Sequence, residues 1–182
     1  MSRKYKFCNE KGVYLISFAT VNWIDVFTRS QYKDIVVDSM NYCIEEKGLD
    51  VFAWVIMSNH VHLVASTQKE PLEAILRDLK KYTSKAIVKA IEENPQESRK
   101  EWLLWMFERA GAKNSNNSRY QFWQQHNQPI ELSHRDAFKN AIQYIHENPV
   151  KAGFVFQAED YPYSSAVDYA GGKGLVALVL AE

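Results

Sequence analysis

The 182 residues carry 22 Lys and Arg against 22 Asp and Glu, so no bulk charge marks a protein that coats nucleic acid. With 46% hydrophobic and 24% charged residues, the composition is that of one folded domain with a real core, 1–182, and excludes a disordered chain. No apolar run approaches the roughly 20 residues of a membrane helix, and the two cysteines cannot build a disulfide scaffold or a zinc knuckle. The first seven residues lack the apolar stretch of a signal peptide, which predicts a cytoplasmic protein.

Residues 13–21 are β-branched and aromatic and read as a buried strand. Residues 30–47 have helical spacing of Tyr32, Ile35, Val36, Met40 and Cys43, with Gly48 just past the end. Residues 50–57 and 60–66 read as two strands joined at the polar pair Ser58 and Asn59, a hairpin. The longest helical pattern runs over 71–93, from Pro71 to Asn94 and Pro95. Along it Lys81, Lys85 and Lys89 recur every fourth residue and share one face.

Residues 102–107 predict a short packed helix, followed by a polar loop over 111–118. Residues 120–124 read as a short strand. A further helix spans 133–148, where Pro149 is expected to end it. About 171–182 form an extended tail packed on the domain. The order predicts an α+β fold of ferredoxin-like, βαββαβ type: an antiparallel sheet with helices packed on one face.

Two places can carry chemistry. His60-Val61-His62 puts two imidazoles on the same face of a strand, roughly 6.5–7 Å apart along the chain, with Val61 turned to the core. Such a pair suits a metal ion, and the spacing alone equally fits two ordinary histidines. In the helix over 133–148, Tyr144 and Asn148 lie one turn apart on one face. A tyrosine phenol can act as a nucleophile, but with a reference pKa of about 10 it needs a polarised target at neutral pH. Taken alone, Tyr144 is an ordinary packing residue.

The combination is more specific. His60-Val61-His62 is a histidine–hydrophobe–histidine motif. It is preceded by 53–59 (AWVIMSN) and followed by 77–85 (RDLKKYTSK), 121–126 (QFWQQH), 140–155 (NAIQYIHENPVKAGFV) and 161–165 (YPYSS), in that order. This set resembles the REP-associated tyrosine transposases of the single-tyrosine, IS200-like insertion-sequence family over about residues 10–170.

The resemblance implies that His60 and His62 bind one divalent metal, Mg²⁺ or Mn²⁺. Asn148 stands where the family's third ligand stands, a position held by Gln in other branches. Tyr144 would attack the scissile phosphate of single-stranded DNA beside a hairpin, giving a 5′-phosphotyrosine and a free 3′-hydroxyl. Imidazole ligands lead us to expect Mn²⁺ to work at least as well as Mg²⁺. Tyr120, Tyr161 and Tyr163 lack a ligand candidate one turn on, and His126 and His146 are read as structural or DNA-facing. DNA contacts are expected from Lys80, Lys81, Lys85, Lys89, Arg109, Lys113, Arg119 and the aromatic Trp123. The loop over 111–118 is a candidate for ordering on DNA. No membrane partner is implied, and both monomer and homodimer fit.

Two other readings remain. A catalytically inactive module of the same fold could bind hairpin DNA or RNA. A small zinc hydrolase would need a third strong ligand, and none stands at an obvious spacing.

Overall fold

Strand β1, Tyr14–Ala19, lies inside a four-stranded sheet ordered β2 (Leu49–Ile56), β3 (His60–Thr67), β1, β4 (Ile130–Glu131), with every neighbour antiparallel. A computed structural model describes residues 7–113 and 119–180, and 114–118 of the expected polar loop lie outside the described residues. Helix α1, Ser30–Lys47, returns the chain to β2, Leu49–Ile56, and Gly48 makes that turn at φ 73. A tight connection leads into β3, His60–Thr67, so the expected hairpin is present. Helix α2, Leu72–Glu93, and helix α3, Lys100–Ala112, follow.

Alternation along the strands sorts side chains onto two faces. Ile16, Phe18, Trp54, Ile56 and Leu63 form the main core with Val36, Met40, Ile75 and Leu79 of α1 and α2. Ala53, Val55 and Val64 look the other way and pack on Ala141 and Ile145 of α4, Arg135–Lys151. The expectation of helices on one face therefore describes α1 and α2, while α4 covers the opposite face. That face is the one that bears the even-numbered residues of β3.

Two local expectations are corrected. Residues 120–124 are not the fourth strand: Trp123 makes one isolated bridge, to Thr20, and β4 is Ile130–Glu131. Trp123 instead sinks among Phe18, Phe27 and Phe122, and its Nε1–H donates to Thr83 Oγ1 at 3.0 Å. Nor does Pro149 end the last long helix. Its ring is buried within α4, and the helix runs on to Lys151 before Gly153 stops it at φ 74. A proline near a helix C-terminus forfeits one backbone bond, and burial of its ring offsets part of that cost.

Past residue 171 the described chain, to 180, carries no helix or strand, and 181–182 lie outside the described residues. Val176 is buried in the main core, and Val179 N–H donates to Val51 O on the β2 edge. No helix among the described residues is long and apolar enough to cross a membrane.

Candidate active site

His60 and His62 stand side by side on β3, ring centroids 4.7 Å apart, on the face covered by α4. Val61 between them points into the main core. Antiparallel pairing sets Ser17 of β1 directly opposite His62, and Ser17 Oγ and His62 Nδ1 share a hydrogen bond of 2.6 Å. Tyr144, on the sheet-facing side of α4, brings its ring 5.2 Å from that of His62. Its hydroxyl lies 3.3 Å from His62 Nε2. Tyr144 remains 43% exposed, so a polymer in solvent can reach the phenol.

Hydrogen bonding determines which nitrogen of His60 carries its proton. Asn59 Nδ2 donates to Trp23 O at 3.1 Å, which turns Asn59 Oδ1 toward His60. That oxygen can only accept, so His60 Nδ1–H donates to it at 2.6 Å and Nε2 keeps its lone pair. At His62, the tautomer with its proton on Nδ1 donates to Ser17 Oγ and leaves Nε2 to accept from the Tyr144 hydroxyl. Burial pushes both imidazoles below the usual histidine range. His62 falls to about 3, first through burial and then through the neighbouring His60. Both rings are thus neutral at pH 7, the form that binds metal.

Asn148 sits one turn after Tyr144, but its side chain folds back along the helix and Nδ2 donates to Tyr144 O at 2.7 Å. The amide oxygen is then the atom left for a ligand. Among the described residues, no group of three or more His, Cys, Asp or Glu side chains could hold a metal. Two neutral imidazoles side by side offer nitrogen ligands that suit a divalent ion.

The residues expected to touch DNA divide. Lys81, Lys85 and Lys89 are exposed on α2, with Lys89 3.7 Å from Glu93. Lys80 turns inward, a correction: its Nζ donates at 2.8 Å to both Gln124 O and Asn127 Oδ1, and burial pulls its pKa to about 8. Trp123 is likewise no stacking platform, because it is buried in the core. Arg109 lies over the Trp105 ring, and Arg119 pairs with Glu108 and covers Tyr120. Lys113 is exposed at the end of α3. His146 points away from Tyr144, with Nε2 2.8 Å from Ser165 Oγ, and His126 is exposed.

Three contributors were not singled out in the sequence: Ser17, Asn59 and Trp23. Ser17 leaves a trace there, as a small hydroxyl residue between Ile16 and Phe18 in a largely apolar strand. Asn59 and Trp23 leave none, because their roles depend on how the Val21–Trp23 turn lies against the hairpin.

No curated protein matches the chain. Six chains among solved structures do. One is the REP-associated tyrosine transposase bound to a REP hairpin, with a TM-score of 0.66 at 18% identity. That match covers 100% of this chain and 94% of the other, and at this identity it establishes a shared fold. A family model described as "Transposase IS200 like" matches residues 8–108, which run from before β1 into α3 and include both histidines. That span is more than half of the 182 residues, and on it the chain belongs to the IS200-like transposase family.

Proposed function

We propose that the protein is a metal-dependent single-stranded DNA endonuclease and strand transferase that cuts beside hairpin DNA, with Tyr144 as nucleophile. The observation that carries this reading is the Tyr144 hydroxyl 3.3 Å from Nε2 of His62, a buried neutral imidazole beside His60. The family membership and the hairpin named for the structural neighbour favour DNA as the substrate.

His60 Nε2, His62 Nε2 and Asn148 Oδ1 are the atoms that would hold Mg²⁺ or Mn²⁺. When bound, the ion supplies Lewis-acid polarisation of the scissile phosphate. Tyr144 Oη attacks phosphorus, the bond to the 3′-oxygen breaks, and that oxygen leaves as a 3′-hydroxyl once protonated. The product is a 5′-phosphotyrosine, and attack by another 3′-hydroxyl reverses the step and rejoins DNA. His62 does not serve as the base. Burial makes it a poor proton acceptor, and its Nε2 is the ligand atom. The phenol proton instead leaves through the exposed side of Tyr144. Tyr144 meets the histidines of its own chain, which favours action by a single protomer over a site shared between two.

The test is a denaturing gel of the protein mixed with single-stranded hairpin DNA from the flanks of its own gene, with Mn²⁺. A covalent protein–DNA band is expected that needs metal and disappears in Tyr144→Phe. Hairpin binding without metal and without any adduct would instead establish the binding-module reading.

A further inference from the structure

We propose that the open cleft between the Val21–Trp23 turn, α3 and the segment 121–126 is a subsite for one unpaired deoxynucleotide of the strand being cut. This rests on the reading above. The cleft measures about 920 Å³. That lies within the roughly 300–1,000 Å³ of small-ligand sites. Its lining includes Asn22, Trp23, Arg109, Lys113, Gln125 and His126.

The cleft adjoins the histidine pair. The Trp23 ring stands edge-on to the His60 ring at 5.9 Å. Asn59 ties the two together, donating to Trp23 O while accepting from His60 Nδ1. A strand passing the histidines would therefore place its next nucleotide against Trp23.

Trp23 is 58% exposed, and its backbone is held in an unfavourable form. Asn22 and Trp23 are consecutive non-glycine residues in the left-handed region, at φ 53 and φ 55. The turn is kept there by Val21 N–H donating to Phe122 O at 2.8 Å and by Thr20 Oγ1 donating to Ile24 O at 2.7 Å. Glycine would make the same turn without strain. A strained turn that also leaves an indole in solvent is accounted for if the indole is used.

The remaining lining matches a nucleotide. Arg109 on α3 and Lys113, the residue that follows its last turn, are four positions apart, and neither makes a salt bridge among the described residues. They supply positive charge for phosphate. Asn22 and Gln125 present amides, which carry both donor and acceptor for a base edge, and Trp23 offers a face for stacking.

The experiment uses the full-length Tyr144→Phe protein, so that binding is read without cleavage. Its probe is a hairpin from the DNA flanking its own gene, with a single-stranded tail carrying 2-aminopurine at successive positions. Fluorescence quenching is expected at one tail position, and Trp23→Ala is expected to abolish it and weaken binding of the tailed hairpin about tenfold, the size of one lost base stack. Arg109→Ala should lower the salt slope of binding by about one. Binding of the blunt hairpin should stay unchanged in both variants. Trp23→Gly relieves the backbone strain, so it should melt no lower than the parent while still losing the quenching. Equal binding of tailed and blunt hairpins by parent and variants, or no quenched position, would overturn the subsite. An adduct from the wild-type chain without quenching removes the subsite alone. Quenching without an adduct removes the cleavage reading and leaves the subsite standing.

Discussion

Ser17 shows how much of the site is set by residues that carry no chemistry of their own. Its hydroxyl, 2.6 Å from His62 Nδ1, fixes the ring so that Nε2 faces Tyr144. Partners of this kind orient a metal-ligating histidine, and their loss commonly weakens metal affinity about 10–100-fold. Ser17→Ala is therefore expected to weaken Mn²⁺ binding by that factor while the protein melts within a few degrees of the parent. Titration calorimetry with Mn²⁺ on both proteins reads the effect, and equal affinities would remove Ser17 from the site. Strand alternation made it legible that His60 and His62 share a face, whereas only the family motif drew attention to Tyr144, on a helix. Ser17 was half legible, a small hydroxyl residue in a largely apolar strand. Its partner became known only once β1 and β3 were paired in register.

At the scale of elements, α2 separates what periodicity can decide from what it cannot. The spacing of four put Lys81, Lys85 and Lys89 on one face, and all three are exposed. Lys80 was grouped with them as a neighbour in sequence, yet one residue is a turn of about 100° around a helix. That turn carries its ammonium to the segment 124–127, where it anchors Gln124 O and Asn127 Oδ1. Asn127 in turn accepts from Ser17 N–H through its own carbonyl, so Lys80 braces the strand behind the site. Trp123 misled for a related reason: an aromatic near basic residues reads as a stacking surface until the core claims it. Pro149 misled because the rule against proline concerns the backbone alone, and here the buried ring contributes packing. The two kinds of lysine should behave oppositely on substitution. Lys80→Met is expected to cost about 1–2 kcal/mol, because it leaves two half-buried acceptors, Gln124 O and Asn127 Oδ1, without their donor. Lys85→Met should change stability by no more than about 0.5 kcal/mol and should instead lower the salt slope of hairpin binding. Urea unfolding and anisotropy titrations at several salt concentrations measure the two effects. A stability loss as large for Lys85→Met as for Lys80→Met would contradict this division of α2.

Across the whole molecule, α4 is the seam on which the site depends, and two neutral histidines lie along it, the buried His62 and the half-buried His146. His62 on β3 faces Tyr144, and His146 on α4 reaches Ser165, whose hydroxyl also accepts from Trp54 N–H at 2.9 Å. Burial lowers the pKa of His62 to about 3 and of His146 to about 4, although Asp168 acts on His146 in the opposite direction. In the unfolded chain each would titrate near 6.5. Between about pH 6.5 and 4 the unfolded chain therefore binds more protons than the folded one. Stability is fully present above pH 6.5 and falls as the solution is acidified, by at most about 1.4 kcal/mol per pH unit for each histidine. His146→Gln removes one titrating group while its amide can still meet Ser165, so its loss of stability on acidification should be visibly shallower than that of the parent. Melting curves by circular dichroism at intervals from pH 7 to pH 4 would compare the two. Parallel slopes would mean that His146 is already charged in the folded protein. Because Tyr144 rides on the same helix, the hairpin adduct formed after brief exposure to pH 4 and return to neutral pH should recover fully, which separates reversible loosening of α4 from irreversible damage.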